Sequence, residues 1–391
     1  MARVLVAMLL IWSTTRCLWD GMSVLSAAEP LPLSDTLRAS AAPKPGPNLI
    51  PANIEGDSMC VDCHRAEFAH LWSQWRDSEH GWIGYSRLLG DRATQLGESL
   101  GVDADRLTKD SVCIECHATP NLDFHGRMKP ILGVACEACH NASGGEGGWL
   151  NMHAAYGPPG TRRVDESPEH FHDRKQESAK RGQLQSANIY ALVRRCYDCH
   201  IVGDETLITK TDHQIEDRDF SNIVGQLTDE KIRHNFHLDQ AVNAPVSTLW
   251  TDAHWHPERA TNLEQSVTKR KKLYFVVAVL GRAETVLRLM AGVNDPTGDY
   301  AGDLGSLIDA GDLQDVLESI ELSGAERDDV ESLIKALEDL ELEDTAGDLD
   351  EDESLSAEER RTILAVADRI ELLGTNIATG GGDNLAEVVL P

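Results

Sequence analysis

The chain has 391 residues, with 65 acidic and 36 basic side chains and a formal net charge of −29. So acidic a balance excludes a nucleic-acid binder working through a basic surface. The length allows two domains or more.

Residues 1–28 are expected to be a secretory signal. Arg3 precedes an apolar run from Val4 to Trp12, and small residues gather at Ser26-Ala27-Ala28, where a cut would fall. The run is too short to cross a bilayer, which takes about 20 residues, so no transmembrane anchor is expected after its removal. Residues 29–55 carry Pro43, Pro45, Pro47 and Pro51 among Ala and Ser, the composition of an extended linker.

Residues 56–261 hold one signature four times: Cys60-Val-Asp-Cys63-His64, Cys113-Ile-Glu-Cys116-His117, Cys136-Glu-Ala-Cys139-His140 and Cys196-Tyr-Asp-Cys199-His200. C-x-x-C-H is the attachment site of a c-type haem: the two thiols form thioethers with the vinyl groups, and the adjacent His binds the iron. A zinc site needs thiolates but gives no reason for a His directly after every second Cys. Of nine Cys, eight lie in these motifs; the ninth, Cys17, falls in the signal. The reading is four covalently attached haem c groups in an exported, periplasmic chain with no thiol left for a disulfide. The expected fold is mainly α with long irregular loops, a tetrahaem cytochrome c core wrapped around stacked haems. The glycine-rich stretches 144–148 and 157–160 are turns within it.

Residues 262–292 are expected to form a helix packed on the haem domain, with a basic start at Lys269-Arg270-Lys271-Lys272 and an apolar run from Leu273 to Leu280. Tyr274-Phe275-Val276-Val277 within it has strand character as well. Residues 293–391 carry 28 acidic and 5 basic side chains. Leu313, Val316, Leu317 and Ile320, then Val330, Ile334, Leu337 and Leu340, then Ile363, Val366, Ala367 and Ile370 recur at helical spacing, which predicts an acidic helical tail. Asp348, Asp350, Asp352 and Glu359 follow a calcium-loop spacing, but Glu353 stands where that loop needs Gly, so a solvated acidic linker is expected.

The first axial ligands would be His64, His117, His140 and His200. A second His would close an iron as a low-potential carrier, and an open position would admit a small molecule. Eleven further His residues make counting uninformative.

Two stretches resemble a known family. Trp75-Arg-Asp-Ser-Glu-His80 resembles the W-x-x-[ST]-x-H that follows the first haem of the cytochrome c-554 family. Gly133-Val-Ala-Cys136-Glu-Ala-Cys139-His140 resembles its third-haem motif. The resemblance spans roughly residues 56–215. It implies distal ligand roles for His80 and His153, and a third such ligand after the fourth motif, where His213 is the nearest candidate. It also implies an open second haem, on Cys113, Cys116 and His117, although His125 lies between the second and third motifs and could close it. The function implied is electron relay between periplasmic redox proteins in nitrogen-compound oxidation or reduction. The alternative is an oxidoreductase acting on nitric oxide, nitrite or hydroxylamine at the open haem. The acidic tail would steer a basic redox partner.

Overall fold

The computed structural model describes residues 50–61, 72, 75–76, 79–162, 165–185, 188–215, 263–308, 310–322, 324–338, 340, 354–380 and 384–388. The signal, most of the linker, Cys63, His64, residues 216–262 and the calcium-like stretch 348–353 lie outside them.

Among the described residues the chain is helical, without a named strand. Two antiparallel bridges, Thr119 to Ile131 and Leu122 to Met128, close one small hairpin. The α-helices of four residues or more among the described residues are α1 (Asp91–Leu100), α2 (Ile114–His117), α3 (Cys136–His140), α4 (Leu150–His153), α5 (Pro168–Lys180), α6 (Ile189–His200), α7 (Glu205–Lys210), α8 (Leu263–Met290), α9 (Asp299–Ser306), α10 (Ala310–Ser319), α11 (Ala325–Glu338) and α12 (Ala357–Thr379). The expected class, mainly α with long loops, is what the chain adopts. No helix among the described residues is long and apolar enough to cross a membrane.

The haem-motif region is irregular, and its helices are short. Motif helices α2 and α3 span only four and five residues. The second half is different. α8 runs 28 residues, and Val276, Val277, Ala278, Leu280, Val286 and Leu287 on it have no exposed surface. So long an apolar stretch within a helix calls for burial. The strand character of Tyr274–Val277 gives way to this helix, because packing decides where local propensity is weak.

α8 packs between α6 and α12. Leu313, Val316, Leu317 and Ile320, with Val330, Ile363, Val366, Ala367 and Ile370, join the same core as Ile189, Tyr190, Val193 and Tyr197 of α6. So the apolar rows of the acidic segment meet the helix that ends in the fourth motif. Ser356 caps α12 in a capping box: its hydroxyl accepts from the Glu359 N–H, and the Glu359 carboxylate accepts from the Ser356 N–H. Glu359 is thereby used as a cap.

α6 runs through the fourth motif to His200, with a buried face set by residues seven apart. Tyr190 and Tyr197 both enter the groove between α8 and α12. Tyr190 Oη donates to Glu284 at 2.8 Å, and Tyr197 Oη donates to the Ala278 carbonyl at 2.8 Å. Gly281 lies against the Tyr197 ring, and a Cβ on Gly374 would fall 2.0 Å from Tyr190 Cε2. Ala normally stabilises a helix over Gly. Here Gly374→Ala is expected to destabilise by about 1–3 kcal/mol through overpacking, read as a lower urea midpoint at unchanged slope.

Candidate functional site

The two stretches that carry the resemblance are bonded to each other. The indole N–H of Trp75 donates to the Val134 carbonyl at 2.8 Å. The Val134 N–H donates to the His80 carbonyl at 2.7 Å. Gly133 has a positive φ of 98°, and a Cβ there would lie 2.0 Å from the Gly81 carbonyl oxygen. Only glycine permits both the conformation and the approach. Thr119 Oγ donates to the Gly133 carbonyl and accepts from the Ala135 N–H, which fixes the entry to α3.

Glu137, inside the third motif, is 1% exposed. Its carboxylate accepts three backbone N–H bonds, from Glu55, Gly56 and Ser143, at 3.1, 2.8 and 2.8 Å. The segment leading into the first motif is thus held on the third. At its end Cys60 donates to Cys136, which raises the Cys60 thiol far above its ordinary value and lowers Cys136. Cys199 has the same relation to Cys116, and its thiol is raised likewise. Cys199 Sγ also reaches the Glu115 carbonyl at 3.8 Å. α6 packs against both α2 and α3. The thiols therefore meet in pairs across motifs, first with third and second with fourth, and α6 joins the pairs.

Two of the motif histidines are oriented by carbonyls. His117 Nδ1 donates to Gly84 at 3.1 Å, and His140 Nδ1 donates to Leu184 at 2.6 Å. A ring nitrogen so engaged leaves Nε2 as the metal-binding atom. Desolvation lowers the pKa of His140, which favours the neutral ring that ligation requires. Next to Leu184, the Gln183 side chain bonds His153 Nδ1 at 3.1 Å. His153 also packs edge-on against Trp149, and its carbonyl accepts from Arg174. Arg174 is held by the buried Glu166, through Nε and NH2 at 2.7 and 2.8 Å, and the same carboxylate accepts from His170. Burial would raise Glu166, but these bonds win and hold its carboxyl below the usual value.

His80 comes near His200, with ring centroids 5.8 Å apart and planes at 80°. His213 bonds the Gln214 carbonyl through Nδ1 and makes no ring contact with a histidine among the described residues. His125 is exposed at the hairpin tip, its ring 3.7 Å from that of Phe124. No cluster of three or more metal-ligating side chains occurs among the described residues. The donor set among the described residues is instead thiols of the C-x-x-C-H motifs, with an oriented imidazole after the second and third pairs, which fits covalent haem. Glu137, Gln183 and Arg174 carry no spacing signal of their own; Glu137 alone stood inside a motif already singled out.

Such paired thiols with oriented imidazoles define a c-type cytochrome, a protein of electron transport. Residues 59–141 match the family model of cytochrome c554 and c-prime. The matched segment includes Trp75–His80 and Gly133–His140 and ends one residue past His140, before the fourth motif. No curated protein and no solved structure matches the chain.

Glu137→Gln exchanges a buried charged acceptor for an amide whose NH2 must face a backbone N–H. A loss of about 2–3 kcal/mol is expected, measured by denaturant unfolding of the haem-loaded protein.

Proposed function

We propose that the protein is an exported, periplasmic tetrahaem cytochrome that relays electrons between redox proteins, in the oxidation or reduction of nitrogen compounds. The observation that carries this reading is the meeting of the motifs in space: the stretch leading to Cys60 bonds Glu137 of the third motif, Cys199 reaches the Glu115 carbonyl of the second, and α6 packs against both α2 and α3. Cys60, Cys63, Cys113, Cys116, Cys136, Cys139, Cys196 and Cys199 hold four haem c groups in this reading. His64, His117, His140 and His200 supply one axial nitrogen each. A haem so bound supplies one-electron transfer, and motifs this close favour an order first, third, fourth, second.

His80 serves as the sixth ligand at the fourth motif in this reading, since its ring lies edge-on to that of His200 with the centroids 5.8 Å apart. His213 donates from Nδ1 to a carbonyl and so keeps Nε2 for a distal role, and His153, its ring set by Gln183 and Trp149, takes a distal role by the resemblance. The acidic segment steers a basic partner.

The test is the covalent haem content of purified, unfolded protein. Four per chain is expected; fewer would sink the reading. In the oxidised protein His80→Gly should convert one low-spin iron to high-spin, seen by electron paramagnetic resonance. No change there would remove His80 from the ligand set.

A second reading is favoured by the exposed position of His125 at the hairpin tip. If nothing closes the His117 site, a small molecule such as nitric oxide or nitrite binds there, and the protein is an oxidoreductase. Carbon monoxide added to the reduced protein should then bind at one site in four; no binding would exclude it.

A further inference from the structure

Arg195 stands directly before Cys196 on α6. Its NH1 donates to Asp198, inside the fourth motif, at 2.8 Å. Its NH2 donates to the side-chain oxygen of Asn141, the residue after His140. One guanidinium is therefore fixed between the third and fourth motifs. Its Nε is buried and makes no hydrogen bond. A buried N–H without an acceptor costs stability, so such a donor calls for a partner. Arg is suited to the task, because its fork of donors matches a carboxylate and stays charged at every working pH.

The two anchors of this charge lie at two sites: Asn141 directly follows His140 of the third motif, and Asp198 lies between Cys196 and Cys199 of the fourth. Asn141 is itself pinned, since its Nδ2 donates to the Gly182 carbonyl and its own carbonyl accepts from the Trp149 indole. The cation cannot swing to one side without breaking this set.

We infer that Arg195 is a positioning residue that gives one positive charge to the third and fourth haem sites together, with its Nε left for a haem carboxylate, and so raises the reduction potentials of both. A positive charge favours the reduced, more electron-rich state of a nearby iron. Because the charge is shared, the two potentials move together when it is changed. The four-haem reading is the ground on which this stands.

The test is a potentiometric titration of the full, haem-loaded chain, followed by visible absorbance after covalent haem has been counted. Arg195→Gln should lower two of the four midpoint potentials, each by about tenfold in equilibrium constant, which is ~59 mV for one electron. The other two should stay in place. Arg195→Lys keeps the charge and should leave all four close to the unmodified values. Asp198→Asn removes the opposing carboxylate and should move the same two potentials upward. A loss of packing alone does not produce shifts of opposite sign in the two variants. Equal effects of Gln and Lys, a shift spread over all four sites, or no shift would overturn the proposal. If Arg195→Gln does not load haem, Asp198→Asn decides alone, and unmoved potentials in it overturn the proposal. A count of four with unmoved potentials brings down the Arg195 role only; a count below four in the unmodified protein brings down the four-haem reading and this role with it.

Discussion

The buried carboxylate of Glu137 is the constraint on which the motif region depends. A carboxylate without water must find donors, and this one finds three backbone N–H groups on two separate stretches of chain. It thereby fixes where the first motif begins relative to the third. The Val134 bonds to Trp75 and His80 do the same for the stretch that follows the first motif. A region with so few long helices holds its shape through such side-chain to backbone bonds, because regular ladders are not there to do it.

The second half of the chain works by apolar burial. α6 belongs to both halves. One end of it carries Cys196, Cys199 and His200; its flank carries Tyr190, Val193 and Tyr197 into the core built by α8 and α12. A polar seam runs through this junction. Arg194 bonds Asp198 and lies 3.4 Å from Glu284, and Arg288 joins Glu284 to Asp368 and Glu371. Burial raises the Asp198 carboxyl in spite of Arg194 and Arg195. Charges at the motif and charges at the surface of α12 are therefore linked by contact.

The motifs were legible because covalent chemistry dictates residue type and spacing, and no packing argument was needed to see them. The helices of the acidic segment were legible because Leu313 to Ile320 and Ile363 to Ile370 repeat with the period of the element that buries them. The pairing of Cys60 with Cys136 and of Cys116 with Cys199 was not legible, since nothing in local spacing encodes which distant turn a thiol will meet. Arg195 gave no signal either. An arginine beside a motif looks like any surface arginine until its three nitrogens are followed to their surroundings. Trp75 and Gly133 were seen as separate motifs, and the bond between their stretches emerged only in three dimensions.

The Tyr190 and Tyr197 contacts also bear on the order in which the protein matures. Their partners, Glu284 and Ala278, lie 94 and 81 residues further along the chain. Tyr300, whose hydroxyl donates to the Val202 carbonyl just past the fourth motif, lies 98 residues on. Contacts of such separation form late, after local ones. While the chain is still emerging, the helix that carries Cys196 and Cys199 has no groove to enter. Closure of the C-terminal helices then buries its tyrosine face and leaves Cys196 exposed. The late core sets the helix in place without covering that thiol.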